Sequence, residues 1–344
     1  MNNKKRILGI IATISILILI IGYNYYSDIY SENVKSSDTI YIPSSSTKVD
    51  FLKLITPYVK DTSSLAWVLD KKKYSHRIKA GKYTISEGMN NNELVNLLRS
   101  GKQTPVNLSF NNQHNLEALA GRIATQIEAD SIELIKAFTD EVFLTKNGFN
   151  IATALAMYIP NSYQIYWNSS AENFRDKMLR EYNSFWSLTR TSKAKRQNLS
   201  PIQVISLAAI VQKETAHVSE RPTVAGLYLN RYHKKWPLQS DPTVIFALKQ
   251  KHGQDFEVKR VLNKDLHIDS PYNTYKYRGI PPGPIAMPDI SSIDAVLNPH
   301  KHNYFYMCAS VEDFGKHAFA KNLSEHNKNA RKYQRWLSQQ GINR

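Results

Sequence analysis

The stretch SPIQVISLAAIVQKE, residues 200–214, decides much of the fold because it carries both a helix start and an apolar helix body. Ser200 can cap this helix, Pro201 suits its first position, and Gln203 completes a capping box. The segment Val204–Val211 is apolar on nearly every side of the helix. The stretch therefore predicts a helix that is largely buried.

Glu214, at the end of this stretch, is the first candidate functional residue. On a helix it shares one face with Leu207, Ile210 and Val211. An apolar stripe solvates a carboxylate poorly and a helix C-terminus disfavours negative charge, so both should raise its pKa. A carboxyl that stays protonated near neutral pH can act as a general acid. The alternative is a frayed helix end, with Glu214 in water or paired to a base such as Lys213.

Helix starts and a long loop follow the buried helix. Ser219–Pro222 and Asp241–Pro242 each predict the beginning of a helix. Residues 270–288, SPYNTYKYRGIPPGPIAMP, form a loop rich in proline and glycine. Beyond it, Tyr304–Ala309 predicts a strand and Asn322–Trp336 a basic helix.

The segments before the buried helix are also mostly helical. Asn115–Phe138 has apolar residues at helical spacing, and Ala171–Trp186 predicts an amphipathic helix. Between them, Met157–Trp167 (MYIPNSYQIYW) is aromatic, which fits either a packed loop or strand or a surface on which sugars stack. Thr189–Arg196 is basic and is expected to be exposed.

Residues 40–110 predict a small α+β module with helices and strands of its own. Asn91–Arg99 is the best-marked helix, with Asn90 as N-cap and Gly101 as its stop. Asp50 is the expected N-cap of a shorter helix. The other predicted elements are the strand Ile40–Ile42, the helix Phe51–Ile55, a strand and turn over His76–Ile85, and the strand Val106–Phe110.

The N-terminal segment is a candidate membrane span. Lys4, Lys5 and Arg6 precede Ile7–Tyr26, about 20 residues or roughly 30 Å of helix, which matches a hydrocarbon core. A signal peptide is the rival interpretation, but it usually has a shorter apolar region and ends in an A-x-A site, which is absent here.

The expected topology follows from the basic cluster. Residues 1–6 would form a cytoplasmic tail, 7–26 a single transmembrane anchor in the plasma membrane, and 27–39 a polar linker. Everything after residue 26 would then be extracytoplasmic.

Composition narrows the class of protein. The 344 residues include 45 basic and 29 acidic side chains, giving a net charge of +16. This charge favours anionic partners such as nucleic acid, anionic lipid head groups or an anionic polymer. Nucleic acid is not expected, because the basic residues are scattered and no RNA- or DNA-binding pattern occurs. The single cysteine, Cys308, excludes an internal disulfide.

Several short motifs are chance matches. The sequences Ser45–Lys48 and Ser192–Lys195 fit S-x-x-K, but neither K-T-G nor S-D-N accompanies them. His300 and His302 lack a convincingly spaced third ligand, and H-E-x-x-H is absent, so no metal and no cofactor are expected.

Four blocks in one order resemble a known family. They are VQKETAHVSERPTVAGLYLNR (211–231), LQSDPTVIFAL (238–248), SPYNTYKYRGIPPGPIA (270–286) and AFAKNLSEHNK (318–328). Together they are similar to the signature blocks of the YceG-like family of endolytic murein transglycosylases. The resemblance implies an α+β fold with a small LysM-like module over 40–110 and a larger catalytic region over 111–344.

The resemblance also assigns roles to residues. The family's catalytic glutamate falls on Glu214, while an earlier glutamate of the same block is Gln212 here, which suggests that a second carboxylate there is not needed. Met287 and Asp289 also depart from the family's usual loop residues. Glu220 or Asp241 is a possible second carboxylate, or each has a structural role. The residues implied to contact substrate are Gln239, Ser240, Asp241, Asn273, Thr274, Tyr275, Pro282 and Gly283, with residues 281–284 shaping the cleft.

The implied activity is cleavage of the N-acetylmuramic acid to N-acetylglucosamine bond within peptidoglycan strands, leaving 1,6-anhydro ends and ending the growth of nascent strands. Its partners would be glycan strands, membrane lipid and peptidoglycan synthases. Two alternatives stay open. One is a non-catalytic cell-wall-binding protein that recruits synthases, and the other is a hydrolase that uses water.

Overall fold

The computed structural model describes residues 3–341 and forms a mixed α+β fold, as the sequence predicts. Residues 1–2 of the expected tail and 342–344 of the expected catalytic region lie outside the described residues. The helices and strands begin, in chain order, with α1 Asn3–Tyr30, β1 Asp38–Ile42, α2 Lys48–Ile55, α3 Thr62–Lys71, β2 Gly81–Ile85, α4 Asn91–Ser100, β3 Val106–Phe110, α5 Leu116–Ala124, α6 Ser131–Phe138 and α7 Glu141–Lys146. They continue with β4 Asn161–Ile165, α8 Ala171–Phe185, α9 Leu188–Arg196, α10 Pro201–Glu214, α11 Arg221–His233, α12 Asp241–His252, α13 Ile290–Leu297, β5 Tyr306–Ala309, β6 His317–Ala320 and α14 Leu323–Gln339.

The strands of the described residues pair into three small sheets: β1 with β2, β3 with β4, and β5 with β6. The first and third pairs are antiparallel, with Ile40 opposite Tyr83 and Cys308 opposite Ala318. The chain divides into two compact units. The first unit comprises the residues up to Leu108 together with 126–129 and 163–170, and the second unit comprises the remainder.

The first unit has its own apolar core. Ile40, Phe51, Leu65, Tyr83 and Leu94 are all buried in it and come from five different elements. This unit also contains α3, which the sequence analysis did not predict. The apolar residues of the strands and those of the helices thus pack together in one core.

The segment expected to be a polar linker is partly built into the first unit. The helix α1 continues to Tyr30, and Val34 is buried in the core. Asn33 is buried as well, where its side-chain amide donates to Asn91 Oδ1 and to the carbonyl of Asp61. A polar composition therefore did not mean a solvated linker, because the amide finds internal partners.

The helix α1 is long and apolar enough to cross a membrane from Lys4 to Tyr30, and no other helix within residues 3–341 is. A signal sequence near an N-terminus would meet the same criterion of length and composition. The end of α1 packs on the first unit, where Tyr25 stacks on Trp67 at 5.2 Å between ring centroids. A single-pass membrane anchor fits this helix.

Local signals place most helix starts correctly, with small shifts. Asn90 and Glu93 form the capping box of α4, and Gly101 ends this helix in the left-handed conformation at φ 71°. For α2 the N-cap is Thr47, and Asp50 instead completes the capping box from the third position.

The second unit is organised around α10, which packs against α11, α12 and α13. All eight residues from Val204 to Val211 are buried, as the sequence predicts. The stretch predicted to be mostly helical over 115–138 contains two helices, because the chain turns after α5 and Asp130 caps α6. The aromatic stretch is packed where it lies in this unit, since Tyr158 is buried against Phe138 and Phe174.

Candidate active site

The helix α10 presents Glu214 as its last residue. Ser200 and Gln203 form the expected capping box at the other end, which fixes where the helix begins. The Glu214 side chain is half-buried rather than frayed into water. A carboxyl at this position combines an apolar surrounding with access for a ligand.

Two hydroxyl groups donate hydrogen bonds to one oxygen of Glu214. Tyr228, on α11, donates to Oε1 at 2.7 Å, and Ser240, just before α12, donates to the same atom at 2.5 Å. Within residues 3–341, the structure records no hydrogen bond to the other oxygen, Oε2. One oxygen of the carboxyl is therefore held by the protein while the other is available to a bound molecule.

The surroundings raise the pKa of Glu214 above its ordinary value. Burial is the main cause, and the negative charge of Asp241 acts in the same direction. The hydroxyls of Ser240 and Tyr228 and the nearby His317 oppose the shift, because they favour the carboxylate. Burial of Tyr228 and the charge of Glu214 raise the pKa of the Tyr228 phenol, so it keeps its proton and stays a donor.

Ser240 is held in place by the loop that follows Asn273. Its backbone N–H donates to Thr274 Oγ1 at 3.0 Å, and its carbonyl accepts from Thr243 Oγ1 at 2.7 Å. Ser240, Thr243 and Thr274 are all buried. The backbone of these residues thereby aims the Ser240 hydroxyl at Glu214, which explains why residues distant in sequence share one site.

Gln239, next to Ser240, is exposed and has a φ of 53°. This left-handed conformation is uncommon for a residue with a side chain and is enriched at functional sites. Its backbone N–H donates to the carbonyl of Thr274 at 3.1 Å. The preceding carbonyl, of Leu238, accepts from the buried guanidinium of Arg231, which also donates to the carbonyl of Phe305.

Asp241 and Tyr275 lie together near Glu214. The Tyr275 hydroxyl donates to Asp241 Oδ1 at 2.6 Å. Burial and the hydrogen bond to Asp241 raise the pKa of Tyr275. Asp241 is exposed and Tyr275 half-buried, so both can meet solvent or a ligand.

Asn273 has a different position from the other predicted contact residues. It is fully buried, and its amide donates to the carbonyls of Leu266 and Ile268. Its side-chain oxygen accepts from the backbone N–H groups of Tyr275 and Lys276. Asn273 therefore shapes the loop, since its polar atoms are already engaged.

The proline-rich part of the loop contains one position that only glycine fits. A Cβ at Gly283 would lie 1.9 Å from the carbonyl oxygen of Ala152. Pro282 is exposed, whereas Pro281 and Pro284 are buried. The close approach at Gly283 fixes this loop against the second unit's own backbone.

Glu220, the other carboxylate considered from sequence, is paired. It is buried, and it accepts from the backbone N–H of His317 at 2.7 Å and from His317 Nδ1 at 3.0 Å. Burial acts to raise its pKa, but the hydrogen bonds from His317 and Thr215 outweigh it, so the pKa is lowered. Glu220 is thus held as an ionised group that orients the imidazole.

Gln212 contacts the start of α13. Its side-chain oxygen accepts from the backbone N–H of Asp289 at 2.5 Å and from Ser292 Oγ at 3.1 Å. Asp289 is the residue before α13 and also pairs with the buried Arg221 at 3.4 Å. Gln212 therefore joins α10 to α13 through an acceptor at a helix N-terminus.

The neighbouring histidines hold α11. His302 Nε2 lies 2.9 Å from the carbonyl of Thr223, and His300 Nδ1 lies 3.0 Å from Thr223 Oγ1. A Cβ on Gly226 would meet the His300 carbonyl at 2.5 Å. Within the described part of the chain, no three side chains of the histidine, cysteine, aspartate and glutamate types lie together as a metal site.

Three residues of the site escaped the sequence analysis: Tyr228, Thr243 and His317. Tyr228 lies within the block 211–231, 14 residues after Glu214. The two residues are on different helices, so helical periodicity does not predict their contact. His317 comes from β6, far along the chain.

An α+β unit that presents one carboxyl of raised pKa, with hydroxyl donors on one oxygen, defines a class: proteins suited to general acid–base chemistry. A comparison with known protein families identifies the family within this class. The model of the YceG-like family matches residues 40–332, and the chain belongs to that family.

Named relatives agree with this assignment. The chain is 32% identical to an endolytic murein transglycosylase of Bacillus subtilis, over 87% of this chain and 85% of that one. It is also 29% identical to an endolytic murein transglycosylase of Streptococcus pneumoniae. That match covers 73% of this chain and about half of the longer pneumococcal protein. A solved structure of a YceG-like protein from Listeria monocytogenes is 28% identical, with a TM-score of 0.56, and the match covers 85% of this chain and 98% of that one.

Proposed function

We propose that the protein is an endolytic murein transglycosylase, a lyase that cuts peptidoglycan strands internally, with Glu214 as its catalytic acid and base. The observation that carries the proposal is the Glu214 carboxyl at the end of the buried helix α10, with two hydroxyl donors on Oε1 and no recorded donor to Oε2 within residues 3–341. Burial raises the pKa of this carboxyl, which agrees with the proposal. Membership of the YceG-like family supplies the substrate class.

The proposed reaction has two proton transfers and needs no water. Protonated Glu214 donates to the glycosidic oxygen as the bond from that oxygen to C1 of N-acetylmuramic acid breaks. The Glu214 carboxylate then accepts the proton of the 6-hydroxyl of the same sugar, whose oxygen bonds to C1. The products are a 1,6-anhydro end and a free hydroxyl on the leaving sugar, and Glu214 returns to its starting state.

The two hydroxyl donors suit this alternation. Burial favours the protonated form of Glu214 that the first step needs, while the bonds from Tyr228 and Ser240 stabilise the carboxylate that forms during it. Because both bonds reach Oε1, we assign the transferred proton to Oε2. A single carboxyl then suffices, unlike the two-carboxylate scheme of glycoside hydrolysis.

The predicted contact residues divide into two proposed roles. The exposed or half-buried ones are proposed to meet the sugar directly: Gln239, Asp241, Tyr275 and Pro282. The buried ones are proposed to position the others: Ser240, Asn273, Thr274 and Gly283.

The first unit and the helix α1 support further proposals. We assign the residues 40–110 to a LysM-like module that holds glycan near the site, because they carry most of the separate core of the first unit. We also propose that α1 anchors the protein in the plasma membrane, with the basic N-terminus in the cytoplasm and the catalytic region outside. Contact with membrane lipid follows from that anchor, and peptidoglycan synthases are proposed partners.

Mass spectrometry of digested glycan strands tests the activity. Internal cuts with 1,6-anhydromuramoyl ends are expected. Reducing-end N-acetylmuramic acid as the only product would show a hydrolase that uses water, and intact strands would show a non-catalytic binding protein.

A fusion of alkaline phosphatase to the C-terminus tests the topology. An active fusion is expected if the catalytic region lies outside, whereas an inactive fusion of a stable protein would contradict it. N-terminal sequencing of the mature protein should find α1 intact, since cleavage after residue 26 would make it a signal peptide.

A further inference from the structure

A concave site in the second unit is lined by residues next in sequence to Glu214 and Asp241. It is a pocket of about 440 Å³, within the size range of small-ligand sites. Lys213, the chain neighbour of Glu214, lines it, and so does Pro242, the neighbour of Asp241. The pocket is therefore built on the same helices that position Glu214 and Asp241, and neither of those two residues lines it.

Basic side chains line one part of the pocket, and the uncharged polar residues Asn115 and Gln254 line it as well. Lys213, Lys249 and His114 come to it from α10, α12 and the turn before α5. Within residues 3–341, the structure records no salt bridge for either lysine. One acidic residue, Asp255, also lines the pocket and is exposed. The two lysines thus leave positive charge that Asp255 alone does not balance.

The charges act on one another across the pocket. Partial burial lowers the pKa of Lys213, and the positive charge of Lys249 lowers it further. Burial, followed by the charges of both lysines, lowers the pKa of His114. Like charges gathered in this way are destabilising when the pocket is empty, and a bound anion would relieve their repulsion.

Another part of the lining is apolar. Pro242, Ile245, Phe246 and Lys249 follow one face of α12, at the spacing that brings helical residues together. Ile285 closes this side from the proline-rich loop. A ligand for the pocket must therefore carry both a negative group and an apolar portion, and a small inorganic anion would leave the apolar side unfilled.

We propose that this pocket binds the carboxylate-bearing peptide attached to the lactyl group of N-acetylmuramic acid. This proposal rests on the proposed function, which places that sugar at Glu214. A short peptide with an acidic residue supplies a carboxylate for Lys213 and Lys249 and an alkyl part for Phe246 and Ile245. The enzyme would then bind glycan strands that bear peptides more tightly than strands without them.

The test compares two substrates and two variants of the full chain in detergent. Peptide-bearing strands are compared with strands stripped of peptides by an amidase. Lys249→Met removes the charge and keeps the alkyl stem, and Lys251→Met is the matched control, because Lys251 is exposed on α12 and does not line the pocket.

Lys249→Met should lower kcat/KM on peptide-bearing strands by about tenfold, as for one lost charge-assisted hydrogen bond, and should leave stripped strands unaffected. Lys251→Met should change neither. An equal loss on both substrates, or no loss on either, would overturn the peptide pocket while leaving the transglycosylase proposal standing.

Binding separates the two proposals if neither substrate is cut. The probe is N-acetylmuramoyl-L-alanyl-D-glutamate, titrated by calorimetry against the wild-type chain and Lys249→Met. The Kd should rise about tenfold in the variant, and a probe with both glutamate carboxyls amidated should bind equally weakly to the two proteins. Equal affinity of wild type and variant for the acidic probe would overturn the pocket whatever the activity.

Discussion

The end of α10 and the turn before α11 place two glutamates six residues apart in opposite electrostatic situations. Glu214 meets two neutral hydroxyls, and burial leaves its pKa raised. Glu220 is buried too, but His317 and Thr215 give it enough hydrogen bonds to lower its pKa. Burial alone therefore does not make a general acid, because the number and kind of donors decide which protonation state wins.

The largest expected effect is on catalysis at Glu214. Glu214→Gln keeps the size of the side chain but can neither donate nor accept the required proton. Since general acid–base catalysis contributes about 10²- to 10⁴-fold, the cutting rate should fall at least that far. Quantifying anhydromuramoyl ends over time measures it, with circular dichroism as the control for folding. A variant that cuts at the wild-type rate would remove Glu214 from the mechanism.

The second prediction contrasts stability at the two glutamates. Glu220→Gln removes a buried acceptor for His317 and should cost about 2 kcal/mol of unfolding free energy at pH 7. The folded pKa of Glu220 is lowered, so its carboxylate stabilises the protein above the unfolded pKa and that gain is lost as the pH falls through the folded pKa. The Glu220→Gln variant should not show this loss of stability at acid pH.

Glu214→Gln should behave in the opposite way. Its folded pKa is raised, so folding favours the protonated form and the ionised form costs stability at higher pH. The amide removes that cost, and the Tm of the variant above neutral pH should equal or exceed that of the wild type. Thermal unfolding of both variants across pH checks the pair, and parallel pH curves would contradict the electrostatic contrast.

The raised pKa of Glu214 could be predicted from the sequence, whereas the pairing of Glu220 with His317 could not. The helix start at Ser200, the apolar body and the position of Glu214 are all local, so the sequence predicts a buried helix that ends in a carboxyl of raised pKa. The donors depend on tertiary contacts. His317 reaches Glu220 across 97 residues of sequence, and no periodicity encodes that pairing.

The same division applies to the fold. Helices with an N-cap and a clear apolar face, such as α4, are predicted nearly to the residue. The sequence of residues 27–39 did not indicate that part of this segment packs into the first unit. Asn33 is polar yet buried, through hydrogen bonds that only the folded unit supplies. The break between α5 and α6 was also missed, since the apolar spacing continues across it.

The third prediction sharpens the role of the hydroxyl donors. Tyr228→Phe removes a bond that favours the Glu214 carboxylate, so the pKa of Glu214 should rise further. The proposed reaction begins with the protonated acid, so the alkaline limb of the pH–rate profile should move to higher pH. The rate should fall about tenfold, because the carboxylate formed in the first step loses a donor.

Tyr232→Phe is the matched control for that experiment. Tyr232 lies one turn further along α11, and its hydroxyl is 3.5 Å from the carbonyl of Asn198. It should leave both the rate and the pH profile unchanged. If the two variants gave the same profile, the bond to Oε1 would have no part in setting the acid.

The smallest expected effect is at Gln212, where the resemblance found in the sequence implies a second carboxylate. The Gln212 side chain only accepts in the contacts that join it to α13, and a carboxylate can accept the same two bonds from Asp289 N–H and Ser292 Oγ. The N-terminus of α13 favours the added negative charge, while the nearby Asp289 carboxylate opposes it. Gln212→Glu should therefore change the cutting rate by less than about twofold, since a pair of opposed surface charge effects is worth only tenths of a kcal/mol. A large gain in rate would mean that a second carboxylate near Glu214 takes part in the chemistry, and that the comparison between one tuned glutamate and one paired glutamate is incomplete.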